Sequence, residues 1–257
     1  MLSPSQLASL KEDGFFILPN AFSTEDLALF RAEVDHLVSN NAEGVVFESN
    51  GLVRALHGCH QQSDVFAKLI RRRELLEPAM EILGSEVYVH QFKINVKAAF
   101  GGDVWPWHQD FIFWHHGDGM PTARAVNMSI FLDEITPFNG PLFIIPGSHK
   151  EGMLEVAPND EVSGWQANVS AKLKYTVPHE KVAALEAANG MKAATGSAGS
   201  IMFFDPNLVH ASVPNISPHR RELLVITYNS VANTLTPIAN PRPEFLSSQD
   251  FRALTPI

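Results

Sequence analysis

Apolar positions in the first third of the chain recur at helical spacing. After Ser23-Thr24-Glu25-Asp26, the residues Leu27, Phe30, Val34 and Leu37 fall three or four apart, and a serine followed by acidic residues is the start such a helix requires. Ser3 before Pro4 is a second start, since proline is tolerated at the first helical position. A third helix is expected after Ser63, running toward Gly84 with Pro78 as its kink or break, because an internal proline removes one backbone donor.

Beyond this region the period falls to two. Val87, Val89, Gln91, Lys93, Asn95 and Lys97 lie on one side of an alternating segment and Tyr88, His90, Phe92, Ile94 and Val96 on the other. Shorter strands are expected at 125–133, 141–145, 199–205 and 222–229, with Gly and Pro turns between them. One helix, 179–190, interrupts the series and ends at a glycine suited to a C-cap. Strands in this order predict a sandwich or barrel rather than alternating βαβ units. No repeat, low-complexity tract or linker divides the chain, so 1–257 is expected to form one domain, mainly β with flanking helices. Residues 1–84 would be its mostly helical N-terminal part, packed on the strands.

Composition narrows the class. A chain of 257 residues can build a core without staples, and its 45% hydrophobic and 18% charged shares are those of an ordinary globular protein. The formal charge of -9 argues against nucleic acid as a partner, because phosphate binding needs clustered lysine and arginine. The run Arg71-Arg72-Arg73 suits a solvated helix face. No stretch approaches the roughly 18 apolar residues of a membrane span. MLSPSQLASLKEDGFF lacks the basic and apolar regions of a targeting signal, and the lone Cys59 permits no internal disulfide. These features predict a cytoplasmic protein that binds neither nucleic acid nor membrane; none of them bears on oligomeric state.

One segment carries the chemical question. WPWHQDFIFWHH, residues 105–116, is either an aromatic core strand with passenger histidines or a metal site built against an apolar wall. The pattern His-x-Asp occurs at 108–110 and again at 116–118, and His149-Lys150-Glu151 is a carboxylate variant. A site of two histidines and one carboxylate for iron needs two ligands one residue apart on a stiff segment, plus a distant histidine. His108 and Asp110 lie among aromatics that suit a strand edge, whereas HHGDGMP has the glycines and proline of a mobile loop and PGSHK reads as a turn.

The distant histidine is His210, closing GSIMFFDPNLVH (199–210), which reads as a strand, a turn and a second short strand ending at His210. Eleven residues further on, Arg221 lies on or near the strand ELLVITYN, and a guanidinium can clamp a carboxylate through two parallel hydrogen bonds. Taken singly, His210 is more often a strand-end histidine bonded to backbone, Arg221 is more often a surface residue, and Arg220 competes with it. Together they suit a dicarboxylic oxo acid that chelates the metal at one end and meets an arginine at the other.

In order and spacing, His108, Asp110, His210 and Arg221 resemble the motif of the phytanoyl-CoA dioxygenase superfamily of iron(II)- and 2-oxoglutarate-dependent oxygenases. VRALHGCH (53–60), VYVHQFKINVKA (87–98), GDVWPWHQDFIFW (102–114), NGPLFIIPGSH (139–149) and ITYN (226–229) are similar to segments of its bacterial proline 4-hydroxylases and, more distantly, its ectoine hydroxylases. The resemblance implies a double-stranded β-helix, the cupin-like jelly-roll barrel. It implies that His108, Asp110 and His210 hold iron(II), and that Arg221 binds the far carboxylate of 2-oxoglutarate with help from Lys97. Gln91, Trp114 and Phe204 would face substrate, although pattern alone leaves Gln91 equally suited to solvent and makes Trp114 and Phe204 core residues.

The implied reaction uses oxygen to hydroxylate a free cyclic amino acid, first L-proline to trans-4-hydroxy-L-proline. 2-Oxoglutarate would be converted to succinate and carbon dioxide, with ascorbate as the reductant in vitro. Ectoine or another small metabolite ranks second, because Val225 stands where the resembling ectoine hydroxylases carry a phenylalanine and an aromatic cage suits a delocalised cation. Asp110 favours hydroxylation, since related halogenases have a small residue there. A ligand-binding barrel without turnover is the reading from a different class, and a zinc hydrolase could use the same ligands. The proline-rich segment 230–257 is either a lid or a packed tail.

Overall fold

In the computed structural model, which describes residues 1–257, Ser3 caps α1 (Pro4–Asp13): its hydroxyl accepts from the Gln6 amide while the Gln6 side chain accepts from the Ser3 amide. The short strand β1 (Phe15–Leu18) precedes α2 (Thr24–Ser39), which Ser23 and Asp26 cap in the same reciprocal way. Leu27, Phe30, Val34 and Leu37 are the buried face of α2, as their spacing predicts. β2 (Val45–Phe47) and β3 (Val53–His57) follow, so the N-terminal part also supplies three strands that its helical spacing does not announce.

The helix expected over 63–84 is two helices, α3 (Asp64–Leu69) and α4 (Arg73–Leu83). The break falls at 70–72 and Pro78 lies buried inside α4. Tertiary partners account for the position: the Ile70 carbonyl accepts from the Tyr228 hydroxyl at 2.8 Å, and extended Arg72 reaches Asp26 at 2.6 Å.

The remaining elements are β4 (Val87–Lys97), β5 (Trp105–His108), α5 (Phe111–Asp118), β6 (Ala125–Phe131), β7 (Leu142–Ile144), α6 (His179–Asn189), β8 (Lys192–Ala194), β9 (Ile201–Phe204), β10 (His210–Ser212) and β11 (Arg221–Ser230). All strand pairs are antiparallel. They form a large sheet ordered β1-β9-β6-β11-β4-β3-β2 and a small one ordered β5-β10-β7-β8. Neighbours remote in sequence, arranged in two facing sheets, make the double-stranded β-helix that the resemblance implies. The main core lies on the helix side of the large sheet, where Phe92, Ile94, Ile226 and Phe203 meet Phe30, Phe66, Leu75 and Leu76. With that face occupied by apolar contacts, the polar side chains of the same strands are turned toward the small sheet.

β4 departs from simple alternation at one residue. β11 pairs Thr227 with Gln91 but Tyr228 with Val89, which leaves His90 as an extra, bulged residue. The parity therefore inverts: Val87 and Val89 join Phe92 and Ile94 in the core, whereas Gln91, Lys93 and Asn95 line the space between the sheets.

Two further expectations are corrected. Residues 111–118 form α5, so His116, Gly117 and Asp118 belong to the last turn of a helix and not to a mobile loop. Gly119 ends it with φ 76°, and a Cβ there would lie 2.1 Å from the Thr236 carbonyl, so only glycine lets the C-terminal segment pass so close. β10 begins at His210 instead of ending there. Residues 230–257 pack along the barrel: the Ser248 amide donates to His90 O at 2.9 Å, the Leu254 amide to Val87 O at 2.9 Å, and Leu246 is fully buried. No helix is long and apolar enough to cross a membrane.

Candidate active site

Two neighbouring strands of the small sheet bring the distant histidines together. His210 of β10 is the direct cross-strand partner of His108 of β5, and their rings lie 4.2 Å apart. The chain leaves β5 after His108 and turns into α5, placing Asp110 at the helix start, where the Phe111 amide donates to the Pro206 carbonyl just ahead of β10. His108 Nε2 is then 3.8 Å from Asp110 Oδ1, and His210 Nε2 is 4.0 Å from Oδ2.

Each group is fixed from behind. His108 Nδ1 donates to Pro106 O at 2.6 Å and His210 Nδ1 to Leu208 O at 2.9 Å, which leaves both Nε2 atoms unprotonated and aimed at the same point. Asn127 of β6 donates to Asp110 Oδ2 at 2.9 Å and is itself held by the Thr227 hydroxyl at 2.6 Å, while Lys93 Nζ lies 3.3 Å from Oδ1. Burial, with His210 beside it, pushes the His108 imidazole down to about 3, and burial also lowers His210. For Asp110 burial acts upward, but Lys93, His210 and His108 outweigh it and hold the carboxyl below its usual range. Two neutral imidazoles and one carboxylate, with donor atoms within 4.8 Å of one another, fit a divalent first-row metal and match the donor set of non-haem iron(II) oxygenases.

The surrounding cavity runs between the sheets. Arg221, first residue of β11 and 1% exposed, lines it; the guanidinium donates to Gly140 O and its Nε has no partner. Burial pushes this guanidinium down to about 9. Its competitor Arg220 points outward to Asp35 and Glu222, each at 3.5 Å. Asn95 Oδ1 and Ser212 Oγ, also lining the cavity, are buried without hydrogen-bond partners. Gln91, Trp114 and Phe204 line it too; Gln91 Nε2 donates to Leu246 O at 2.9 Å and the Phe204 ring sits edge-on 5.5 Å from His210. Lys97 is brought beside Arg221 in register but does not line the cavity: its Nζ donates to Asp103 O at 2.6 Å. Burial and the nearby Arg221 and Arg54 push that ammonium down to about 7.

The cavity also contains residues that sequence patterning leaves unmarked. Arg242, from the C-terminal segment, enters the cavity while its Nε and Nη2 donate to Asp118 at 2.7 and 2.6 Å. Asp118 also faces His90 Nε2 at 3.1 Å. His57 on β3 lines the same region, opposite its cross-strand partner Lys93, which the alternation of β4 already groups with Gln91 and Asn95. A lone arginine in NPRPEF and a histidine closing VRALH carry no spacing signal of their own.

Residues 10–223 match the pattern of the phytanoyl-CoA dioxygenase (PhyH) family. The chain belongs to this family. The dioxygenase is 45% identical over 249 residues to L-proline trans-4-hydroxylase of Streptomyces griseoviridis, covering 95% of this chain and 92% of that one. It is 38% identical over 268 residues to the ectoine dioxygenase of Bordetella bronchiseptica, covering 100% and 86%. Among solved structures, EctD from S. alaskensis with 2-oxoglutarate and 5-hydroxyectoine superposes with a TM-score of 0.83 at 34% identity, covering 98% of this chain and 85% of that one. The dioxygenase is of the iron(II)- and 2-oxoglutarate-dependent class.

Proposed function

We propose that this dioxygenase hydroxylates a free cyclic amino acid, and that L-proline, converted to trans-4-hydroxy-L-proline, is its substrate. The observation that carries the reading is one cavity holding a two-histidine, one-carboxylate cluster with a buried arginine from β11 and a second arginine, Arg242, from the C-terminal segment. Two carboxylate partners are what a dicarboxylic co-substrate and an amino acid would together require. The similarity to an L-proline trans-4-hydroxylase over nearly the whole of both chains supports proline over ectoine. So does Val225, which supplies no aromatic wall for an amidinium ring.

His108, Asp110 and His210 would hold the metal and, being only three ligands, would leave positions for 2-oxoglutarate and oxygen. Iron(II) held there would supply the chemistry by which oxygen places one of its atoms in a substrate C–H bond and the other in succinate, as 2-oxoglutarate loses carbon dioxide. Asn127 and Lys93 keep the Asp110 carboxylate ionised and oriented. Arg221 takes the far carboxylate of 2-oxoglutarate, Ser212 and Asn95 offer the polar atoms beside it, and Lys97 adds positive charge behind that end. Arg242 presents its remaining Nη1 to the substrate carboxylate, because Asp118 occupies its other two nitrogens. Trp114, Phe204 and Gln91 enclose the ring, and Trp105 and Phe113 help to exclude water from it.

The test is turnover with iron(II), ascorbate, 2-oxoglutarate and a panel of cyclic amino acids and ectoine, following succinate and product mass. Succinate formed in step with hydroxyproline is the expected result, with the position and face of the hydroxyl read by NMR. Preference for ectoine would overturn the substrate. Absence of the visible band that iron(II) and 2-oxoglutarate form anaerobically would return the chain to a binding barrel without turnover.

A further inference from the structure

His57 closes β3 directly opposite Lys93 and lines the cavity beside Lys93, Gln91 and Arg242, yet it is 1% exposed and neither ring nitrogen has a hydrogen-bond partner. A buried polar atom left unpaired is costly, and a histidine whose role is packing bonds a nearby carbonyl, as His115 does with Met120 O at 2.9 Å. We propose that His57 accepts a hydrogen bond from the amino group of the substrate and so selects free amino acids over rings that lack this donor. The inference deepens the amino-acid reading above and rests on it.

A count of donors and acceptors supports this assignment. Lys93 and Arg242 can only donate, which suits a substrate carboxylate. The Gln91 amide nitrogen is committed to Leu246 O, and both Asp110 oxygens are engaged by Lys93 and Asn127. A zwitterionic amino acid also brings an ammonium that needs acceptors, and this end of the cavity offers Gln91 Oε1 and the unprotonated nitrogen of His57. Burial, reinforced by Lys93 and Arg242, pushes the His57 imidazole down to about 3, so the ring is neutral and keeps that acceptor. The strand pairing with Lys93 holds the ring at the cavity edge.

Wild type, His57→Phe and His57→Gln are loaded anaerobically with iron(II) and 2-oxoglutarate and titrated calorimetrically with L-proline and with cyclopentanecarboxylate. The second ligand keeps the ring and carboxylate but replaces the ammonium by a methylene. The expected result is that wild type prefers proline, that His57→Phe reduces this preference about tenfold, and that His57→Gln, which retains an acceptor, recovers most of it. The anaerobic band of each variant reports that it is folded and loaded. A preference unchanged in His57→Phe, or both ligands weakened equally, overturns the inference while leaving the substrate reading intact. A wild type that binds no cyclic amino acid removes the substrate reading, and this inference with it.

Discussion

Asp118→Asn asks whether charge holds the C-terminal segment in the site. The Asp118 side chain is wholly buried and that of Arg242 is 7% exposed, and the two share a bidentate contact at 2.7 and 2.6 Å. Burial alone raises the carboxyl pKa, but Arg242 and His90 outweigh it and hold it at about 2. Relative to the ordinary 3.8, that displacement corresponds to on the order of 2 kcal/mol of stability at neutral pH. Because the folded value is the lower one, this contribution is complete above about pH 4 and is lost as pH falls toward 2. Removing one partner of a buried pair outright costs about 3–5 kcal/mol. Asparagine still accepts one hydrogen bond, so a loss of about 2–3 kcal/mol is expected.

Urea unfolding at pH 7.5 measures that loss. Succinate assays measure its functional side: Arg242 no longer aims Nη1, so the KM for the amino acid rises about tenfold while that for 2-oxoglutarate moves much less. A variant with the wild-type midpoint and wild-type amino-acid KM would refute the latch. Equal rises in both KM values would show a general loosening instead.

Two other substitutions separate neighbouring residues. Arg221→Ala should raise the 2-oxoglutarate KM by about a hundredfold or more, since a buried charge-assisted contact is lost, whereas exposed Arg220→Ala should leave it near wild type; the reverse pattern would exchange their roles. Burial, with Asp133 and Asp35 nearby, pushes the Glu222 carboxyl up to about 7 despite Arg220. The folded state then binds the extra proton, so its stability falls as pH rises from about 4.5 to about 7. Glu222→Gln should therefore be more stable than wild type by on the order of 2–3 kcal/mol at pH 8 and should converge with it toward pH 5, as thermal or urea unfolding at the two pH values would show.

Local signals in the sequence had local causes. The capping serines, the apolar face of α2 and the strands β6, β7, β9 and β11 depend on propensity and period, and both survive in the structure. The pairing of His108 with His210 could be anticipated because a ligand set needs a short spacing and one remote partner. Other features depended on contacts between distant segments. The break at 70–72 follows from Tyr228, the bulge at His90 from the register with β11, and α5 from packing that overrides Gly117. Arg242 and His57 were silent for the same reason, since what marks them is the cavity they enter.

The bulge and α5 together place the His108–Asp110–His210 cluster and the anchor of Arg242 at the two ends of one short segment. α5 follows Asp110 directly and carries Asp118 in its last turn, so eight helical residues span about 12 Å between the cluster and the anchor of Arg242. The Asp110 end is held by Asn127 and Thr227 of the large sheet, independently of the C-terminal segment. The Asp118 end is held by Arg242 and by His90, which faces it from the bulge. Changes in the C-terminal segment are therefore expected to alter the Arg242 side of the cavity without moving the cluster. Relatives named for proline and for ectoine share this fold, so function is set by the site and not by the jelly roll itself.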